Sequence, residues 1–348
     1  MGQLAQQIAV TARSAALRAW WRIRTLHVPR TRERIARVGG FGLAYDTFGW
    51  RDAPPILLIA GFGQQMIGWD ESFCALLAAR GFRVIRFDHR NMGHSSELRA
   101  APARGAPALG KAWTQLHPGR WLGALAGAHL HTLRDMADDA AGLLAALEID
   151  SAHAVGISMG GMIGQLLAIH HPARVRTLTS ISSTTGDPVL GRPNQSALWK
   201  LLTPAPPDRD GFAGHAVELW RVLRATDDAV EDAMERKRAL RMVDRGVSPE
   251  AVRRQLAAVL KSRGWKSALA SLTAPTLVIH GERDPLIPVA AGRDTAEAVP
   301  GAKLLLLPDV GHALPAASWR RVIDAIAQHA RQFEAAPAGS LTGCYAAR

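Results

Sequence analysis

The chain has 348 residues, 48% of them hydrophobic, with 42 Lys and Arg against 30 Asp and Glu and a formal net charge of +12. This apolar content excludes a disordered chain, and two cysteines, Cys74 and Cys344, exclude a disulfide framework or a zinc ribbon. No apolar run approaches the ~18 residues of a membrane-spanning helix.

The charge excess points first to nucleic acid, but its distribution removes that partner. Residues 1–37 hold eight Arg and one acid, Glu33, so they carry +7 and leave only +5 for the rest. The remaining excess reads as a compositional bias toward Arg and Ala. Residues 4–27 lack both Pro and acids and read as a helix, with Leu4, Ile8, Ala12, Ala15, Ala19, Ile23 and Leu26 within an arc of about 100°. With Trp20 and Trp21 this leader, residues 1–33, is compatible with a weak interfacial contact on an anionic membrane. The preferred reading is a leader that is solvated or packed on the body. The expected location is cytoplasmic, peripheral to a membrane only if the leader binds lipid.

From residue 34 onward, short apolar strands alternate with helices. Residues 34–46 read as a strand pair turning at Gly39-Gly40, and 55–60 (PILLIA) as a buried parallel strand running into Gly61-Phe62-Gly63. A short helix at 73–80 stops at Gly81, and 83–88 (RVIRFD) is the next strand. Residues 98–130, with Pro102, Pro107 and Pro118, show no sustained period and read as a surface excursion. Then come a helix at 135–147, a strand at 152–157 (AHAVGI), a helix at 160–170 ended by Pro172, and a strand at 175–182. Helical stretches at 215–224, 229–245 and 250–263 follow without intervening strands. Strands resume at 276–280 and 303–307, and 319–333 closes as a helix. This order predicts a core at 34–183 and 271–335, a helical cap at 184–270 and a flexible tail at 336–348. The core is expected to be an α/β structure, a mostly parallel eight-stranded sheet with helices on both faces.

Gly156-Ile157-Ser158-Met159-Gly160 lies between a strand and a helix, the setting of a nucleophile elbow. Gly156 and Gly160 leave room in the turn, and Ser158 sits at its tip before a helix N-terminus that favours negative charge. A Ser hydroxyl needs a base, and the base needs an orienting acid. His312 follows the strand at 303–307 and Asp284 the strand at 276–280, both at carboxyl ends on the same sheet edge as Ser158. Asp187, after the preceding strand, is the rival acid; Glu282 and Asp309 lie too close to strand bodies. The Phe62 and Met159 N–H groups are the candidate oxyanion donors. His170 and His171 read as helix-terminal residues, and His129 and His131 lack partners for a metal site.

These residues together resemble the α/β-hydrolase superfamily over roughly 34–335. The likeness rests on Gly61-Phe62-Gly63, the 88–95 stretch DHRNMGHS, the elbow at Ser158, and Asp284 with His312. The segments GFGQQMIGWDESFC, VIRFDHRNMGHSS and SMGGMIGQLLAIHHPARVRTLTSISSTTGDP are similar to aclacinomycin methylesterase-like carboxylic ester hydrolases. The resemblance implies the α/β-hydrolase fold, a small-molecule ester substrate, and neither metal nor cofactor. It implies a loop-building rather than chemical role for 88–95. The residue before Gly61, usually His in this superfamily, is Ala60, which predicts a shifted loop rather than lost activity. Leader and tail lie outside the likeness.

Ester hydrolysis is therefore the expected activity. Acyl transfer or cofactor-free perhydrolysis by the same three residues, and a non-catalytic ligand-binding protein, are the alternatives. A carboxylate-nucleophile dehalogenase or epoxide hydrolase is disfavoured by Ser158. Trp113, Trp121, Trp199 and Trp220, in the excursion and the cap, are candidates for lining the substrate pocket.

Overall fold

The computed structural model describes residues 28–97, 131–187, 194–262 and 264–334. Its sheet is built on β1 (Arg34–Val38), β2 (Phe41–Phe48), β3 (Pro55–Ile59), β4 (Arg83–Phe87), β6 (Ala152–Ile157), β7 (Val175–Ile181), β8 (Thr276–Gly281) and β9 (Lys303–Leu307). The spatial order is β1-β2-β4-β3-β6-β7-β8-β9. β1 and β2 form an antiparallel hairpin, β2 runs antiparallel to β4, and every later pairing is parallel. A two-residue strand that sequence patterning could not single out, β5 (Ser96–Glu97), pairs with β2.

The central strands are apolar without interruption because both faces are covered. Leu57 and Ile59 of β3 pack into one core with α2 (Leu133–Ala146) and α3 (Met159–His170). Their alternates Ile56 and Leu58 pack into a second core with α1 (Glu71–Ala78) and α10 (Ala316–Arg331). The period of two along one strand thus sorts its side chains between two helical layers. α9 (Val289–Ala298) lies between β8 and β9 in the chain.

Between the adjacent strands β7 and β8 the chain inserts α4 (Gln195–Leu202), α5 (Arg209–Arg224), α6 (Ala229–Asp244), α7 (Pro249–Lys261) and the short α8 (Lys266–Leu269). Side chains cap their starts: Asn194 accepts from Ser196 N, Asp208 from Gly211 N, Asp228 from Val230 N and Ser248 from Ala251 N. α5 begins six residues before the expected 215, because Asp208 satisfies the first turn and carries the helix through Gly211 and Gly214.

Residues 28–33, counted with the leader from sequence, are not helical and are tied to the body. Arg30 pairs with Asp46 at 3.1 Å and Glu71 at 2.6 Å, and Glu33 pairs with Arg245. The helix read over 4–27, the excursion at 98–130 with Trp113 and Trp121, and the tail at 336–348 lie outside the described residues. No described helix is long and apolar enough to cross a membrane.

Where β2 meets β4, Arg86 is fully buried and binds Asp46 through two parallel bonds, Nε to Oδ1 at 2.7 Å and Nη2 to Oδ2 at 2.8 Å. Its remaining nitrogen Nη1 donates to the Trp69 carbonyl. A paired fork of this kind tolerates burial; a lone buried charge does not. Arg86→Leu leaves the buried Asp46 only the part-exposed Arg30 as a partner and will destabilise the protein by about 3 kcal/mol in urea unfolding; adding Asp46→Leu will recover part of the loss. Equal destabilisation by the single and double variants would show that the loss of Asp46's buried partner is not the cause.

Candidate active site

The site begins where β6 turns into α3. Ser158 occupies the single position between them and adopts φ 55° and ψ −121°. This region is sparsely populated for a residue with a side chain, at a strain of about 1–3 kcal/mol. It exists because two backbone segments come together without side chains. A Cβ on Gly156 would stand 2.0 Å from the Gly160 carbonyl oxygen, and one on Gly160 would stand 2.1 Å from the Ile59 carbonyl oxygen. The Ser158 N–H donates to the Ile181 carbonyl at 2.8 Å, and the Ser183 hydroxyl donates to the Ser158 carbonyl at 2.8 Å. The tip residue is therefore bonded on both sides of its own strained backbone.

His312 and Asp284 reach Ser158 from the loops after β9 and β8. His312 Nε2 lies 3.0 Å from Ser158 Oγ, and His312 Nδ1 lies 2.8 Å from Asp284 Oδ2. A carboxylate only accepts, so Nδ1 carries the proton and Nε2 is left to accept from the Ser158 hydroxyl. Asp284 Oδ1 accepts from the Leu286 and Ile287 N–H groups, both at 2.8 Å, which fixes the carboxyl plane. Burial works to raise the Asp284 pKa. The charge of His312, hydrogen bonds from His280 and His312, and the Ile287 N–H outweigh it and hold the carboxyl down at about 2. The rival acid Asp187 is not bonded to His312 and lies within electrostatic range of Lys266. Asp309 pairs with Arg283 and Glu282 with Arg293, both away from His312.

Gly61 packs against the serine, since a Cβ there would fall 3.5 Å from Ser158 Cβ. The Phe62 and Met159 N–H groups, one on this loop and one at the start of α3, have no acceptor among the described residues. Ala60, where a superfamily His was expected, is braced from another direction: His89 Nε2 donates to the Ala60 carbonyl at 3.0 Å. Burial pushes the His89 pKa down to about 4, so the ring is neutral, as a buried brace should be. The rest of the 88–95 stretch is architectural. Asp88 accepts from Met66 N at 2.6 Å and His94 N at 3.0 Å and pairs with Arg245, while Arg90 forks onto Asp139.

Two side chains at the site escaped sequence reading. His280, fully buried on β8, donates from Nε2 to the Ile287 carbonyl at 2.9 Å and stands 3.4 Å from Asp284 Oδ2. Its place at a strand end, four residues before Asp284, was the available signal. Gln255 on α7 accepts from the Gly63 N–H at 2.8 Å, and nothing in its local sequence marks it.

A cavity of about 1600 Å³ opens over Ser158 and His312, walled by the inserted helices. Trp220 lines it, as expected, with the Arg238 guanidinium 4.7 Å above its ring. Trp199 does not: it is 60% exposed, and its neighbours Leu201 and Leu202 face the cavity instead. The helical period turns Trp199 outward. Arg224, Glu231, Glu235 and Arg238 also line the cavity. Arg238 is paired with Glu235, and the 21% of its side chain that is open borders the cavity. Burial lowers its pKa to about 10, which leaves it cationic at neutral pH. Among the described residues, no three His, Cys, Asp or Glu side chains converge to hold a metal ion.

Comparison with known proteins agrees with this architecture. Rhodomycin D methylesterase DauP of Streptomyces sp. (strain C5) is 31% identical over 80% of this chain and 91% of its own. Rhodomycin D methylesterase DnrP of Streptomyces peucetius is 30% identical over the same shares. The crystal structure of the enol-lactonase from Burkholderia xenovorans LB400 superposes with a TM-score of 0.60 at 24% identity, covering 86% of this chain and 99% of that one, a likeness of fold. A family model described as alpha/beta hydrolase fold matches residues 54–315, and the chain belongs to that family.

Proposed function

We propose that the protein is a serine hydrolase that cleaves a carboxylic ester through an acyl-enzyme. The carrying observation is the unbroken file from Asp284 through His312 to Ser158, at 2.8 and 3.0 Å. In this reading Ser158 Oγ attacks the ester carbonyl as His312 Nε2 takes its proton. Asp284 stays ionised, holds the imidazole tautomer and stabilises the imidazolium. The oxyanion forms against the Phe62 and Met159 N–H groups at the positive end of α3, donors that need no reorganisation when the charge appears. His312 then protonates the leaving alcohol. Water, deprotonated by the same nitrogen, attacks the acyl-enzyme and frees Ser158.

The substrate class we propose is the methyl ester of a bulky acid. Two relatives of 30–31% identity are named methylesterases. The cavity, about 1600 Å³, exceeds the roughly 300–1,000 Å³ of ordinary ligand pockets, while methanol needs almost none of it. The large volume therefore serves the acyl side. Trp220 and the adjoining apolar wall would take its hydrocarbon face.

A fluorophosphonate probe will label the wild-type protein and leave Ser158→Ala unlabelled; equal labelling of both overturns the nucleophile. Asp284→Asn will lower kcat on p-nitrophenyl esters by about 10³–10⁴, since it supplies the wrong tautomer partner, whereas Asp187→Asn will stay within a few-fold of wild type. The reverse ranking reassigns the acid.

The depressed Asp284 pKa also carries a stability signature. A carboxyl held at about 2 in the folded chain, against ~3.9 unfolded, stabilises the fold above the unfolded value and loses that contribution as pH falls toward 2. The unfolding free energy of wild type relative to Asp284→Asn will therefore rise as pH increases from 2 to 4. A difference constant across that window contradicts an ionised, partnered Asp284.

A further inference from the structure

The loop that carries the Phe62 N–H is a tight turn. The Gln64 N–H donates back to the Gly61 carbonyl at 3.3 Å, and Gly63, at the third position, has φ 70°. A positive φ there is the mark of a type II turn, which differs from type I by a flip of the central peptide plane, here the one joining Phe62 to Gly63. Turns of this kind interchange readily unless something holds that plane. The Gln255 side chain does: its Oε1 accepts from the Gly63 N–H at 2.8 Å.

Gln255 belongs to α7, far away in the chain, and is fully buried. A backbone N–H can only donate, so the amide must present its oxygen to Gly63. That orientation leaves Gln255 Nε2 buried with no acceptor. A buried amide satisfied at only one end stabilises a fold less than an apolar side chain of the same size. Stability alone therefore does not account for a glutamine at this position. Two further bonds tie the same loop to the end of α6 and the turn after it: Gln65 Nε2 donates to the Met242 carbonyl at 3.0 Å and to the Gly246 carbonyl at 2.9 Å. Those act on the end of the loop. Among the described residues, only Gln255 bonds its central peptide.

We infer that Gln255 is a positioning residue for the oxyanion donor: it locks the Phe62–Gly63 peptide so that the adjoining Phe62 N–H faces the oxygen developing beside Ser158. The inserted helices thereby take part in transition-state stabilisation as well as enclosing the substrate. This rests on the serine hydrolase reading above. A donor displaced by about 1 Å loses much of its value, so the effect belongs in kcat rather than in binding.

The test compares wild type, Gln255→Met and Gln255→Glu on p-nitrophenyl butyrate, with thermal unfolding and hydrogen exchange of the peptide covering 60–66. Methionine keeps the volume and removes the acceptor; glutamate keeps an acceptor oxygen in either protonation state. The inference expects kcat of Gln255→Met to fall ten- to a hundredfold with KM within threefold, an unchanged or higher Tm, and faster exchange confined to 60–66. It expects Gln255→Glu to recover most of kcat. A kcat within twofold of wild type in Gln255→Met overturns it. So does a joint loss of Tm and activity in both variants with exchange raised throughout 194–262, which marks a merely structural residue. If wild type and Ser158→Ala are equally inactive, the ester hydrolase reading fails, and the exchange at 60–66 still decides whether Gln255 holds the turn.

Discussion

The site depends on one close approach of backbone to backbone. At the end of β6 the first turn of α3 lies so near β3 that Gly160 faces the Ile59 carbonyl with no space for a Cβ, and Gly156 faces Gly160 in the same way. This crossing drives Ser158 into its positive φ, lifts its hydroxyl off the sheet edge and points the α3 N-terminus at the same spot. The strain is sustained because Ile181 and Ser183 bond the serine's own N–H and C=O from the neighbouring strand and the segment after it. Parallel strands ending on one edge then bring the loops after β8 and β9 within reach, so that a single geometric constraint recruits residues 126 and 154 positions away from Ser158 along the chain.

The inserted helices are braced against the loops that carry His312 and Phe62. The Leu223 carbonyl, at the end of α5, accepts from the His312 N–H at 2.6 Å, where Ala225 in a left-handed conformation stops the helix. α7 holds the Gly63 N–H through Gln255, and Arg245 beyond α6 pairs with Asp88 and Glu33 and donates to Gln65 at 2.9 Å. The loop of His312, the 61–64 turn and the loop at Asp88 thus each rest on the insertion.

Electrostatics divides the molecule in two. Around Asp284, donors converge on a carboxylate and keep it ionised at depth, the condition for orienting His312. In the cavity lining, Arg224 and Arg238 are matched by Asp232 and Glu235, so these residues offer polarity with little net charge. Elsewhere the arginines of the body are also held by acids: Arg30, Arg86 and Arg241 gather on Asp46 and Glu71.

Sequence by itself was enough for the eight main strands and the longer helices in order, though not for β5, α4, α8 or α9, for the strand–turn–helix at Ser158, and for Asp284 and His312 as residues at strand ends. These are local signals: apolar periodicity, glycines around a tip, and polar residues directly after a strand. It passed over His280, whose place four residues before Asp284 was a local signal, and it misjudged Trp199. It could not find Gln255 or the His89 brace on Ala60. Both depend on which surface a side chain meets after the chain has crossed over itself. Gln255 and Gly63 are 192 residues apart, and no period or motif links them. Tertiary structure alone decided those partners, because a contact between distant segments is set by the packing of whole helices on the sheet rather than by any residue's neighbours in the chain.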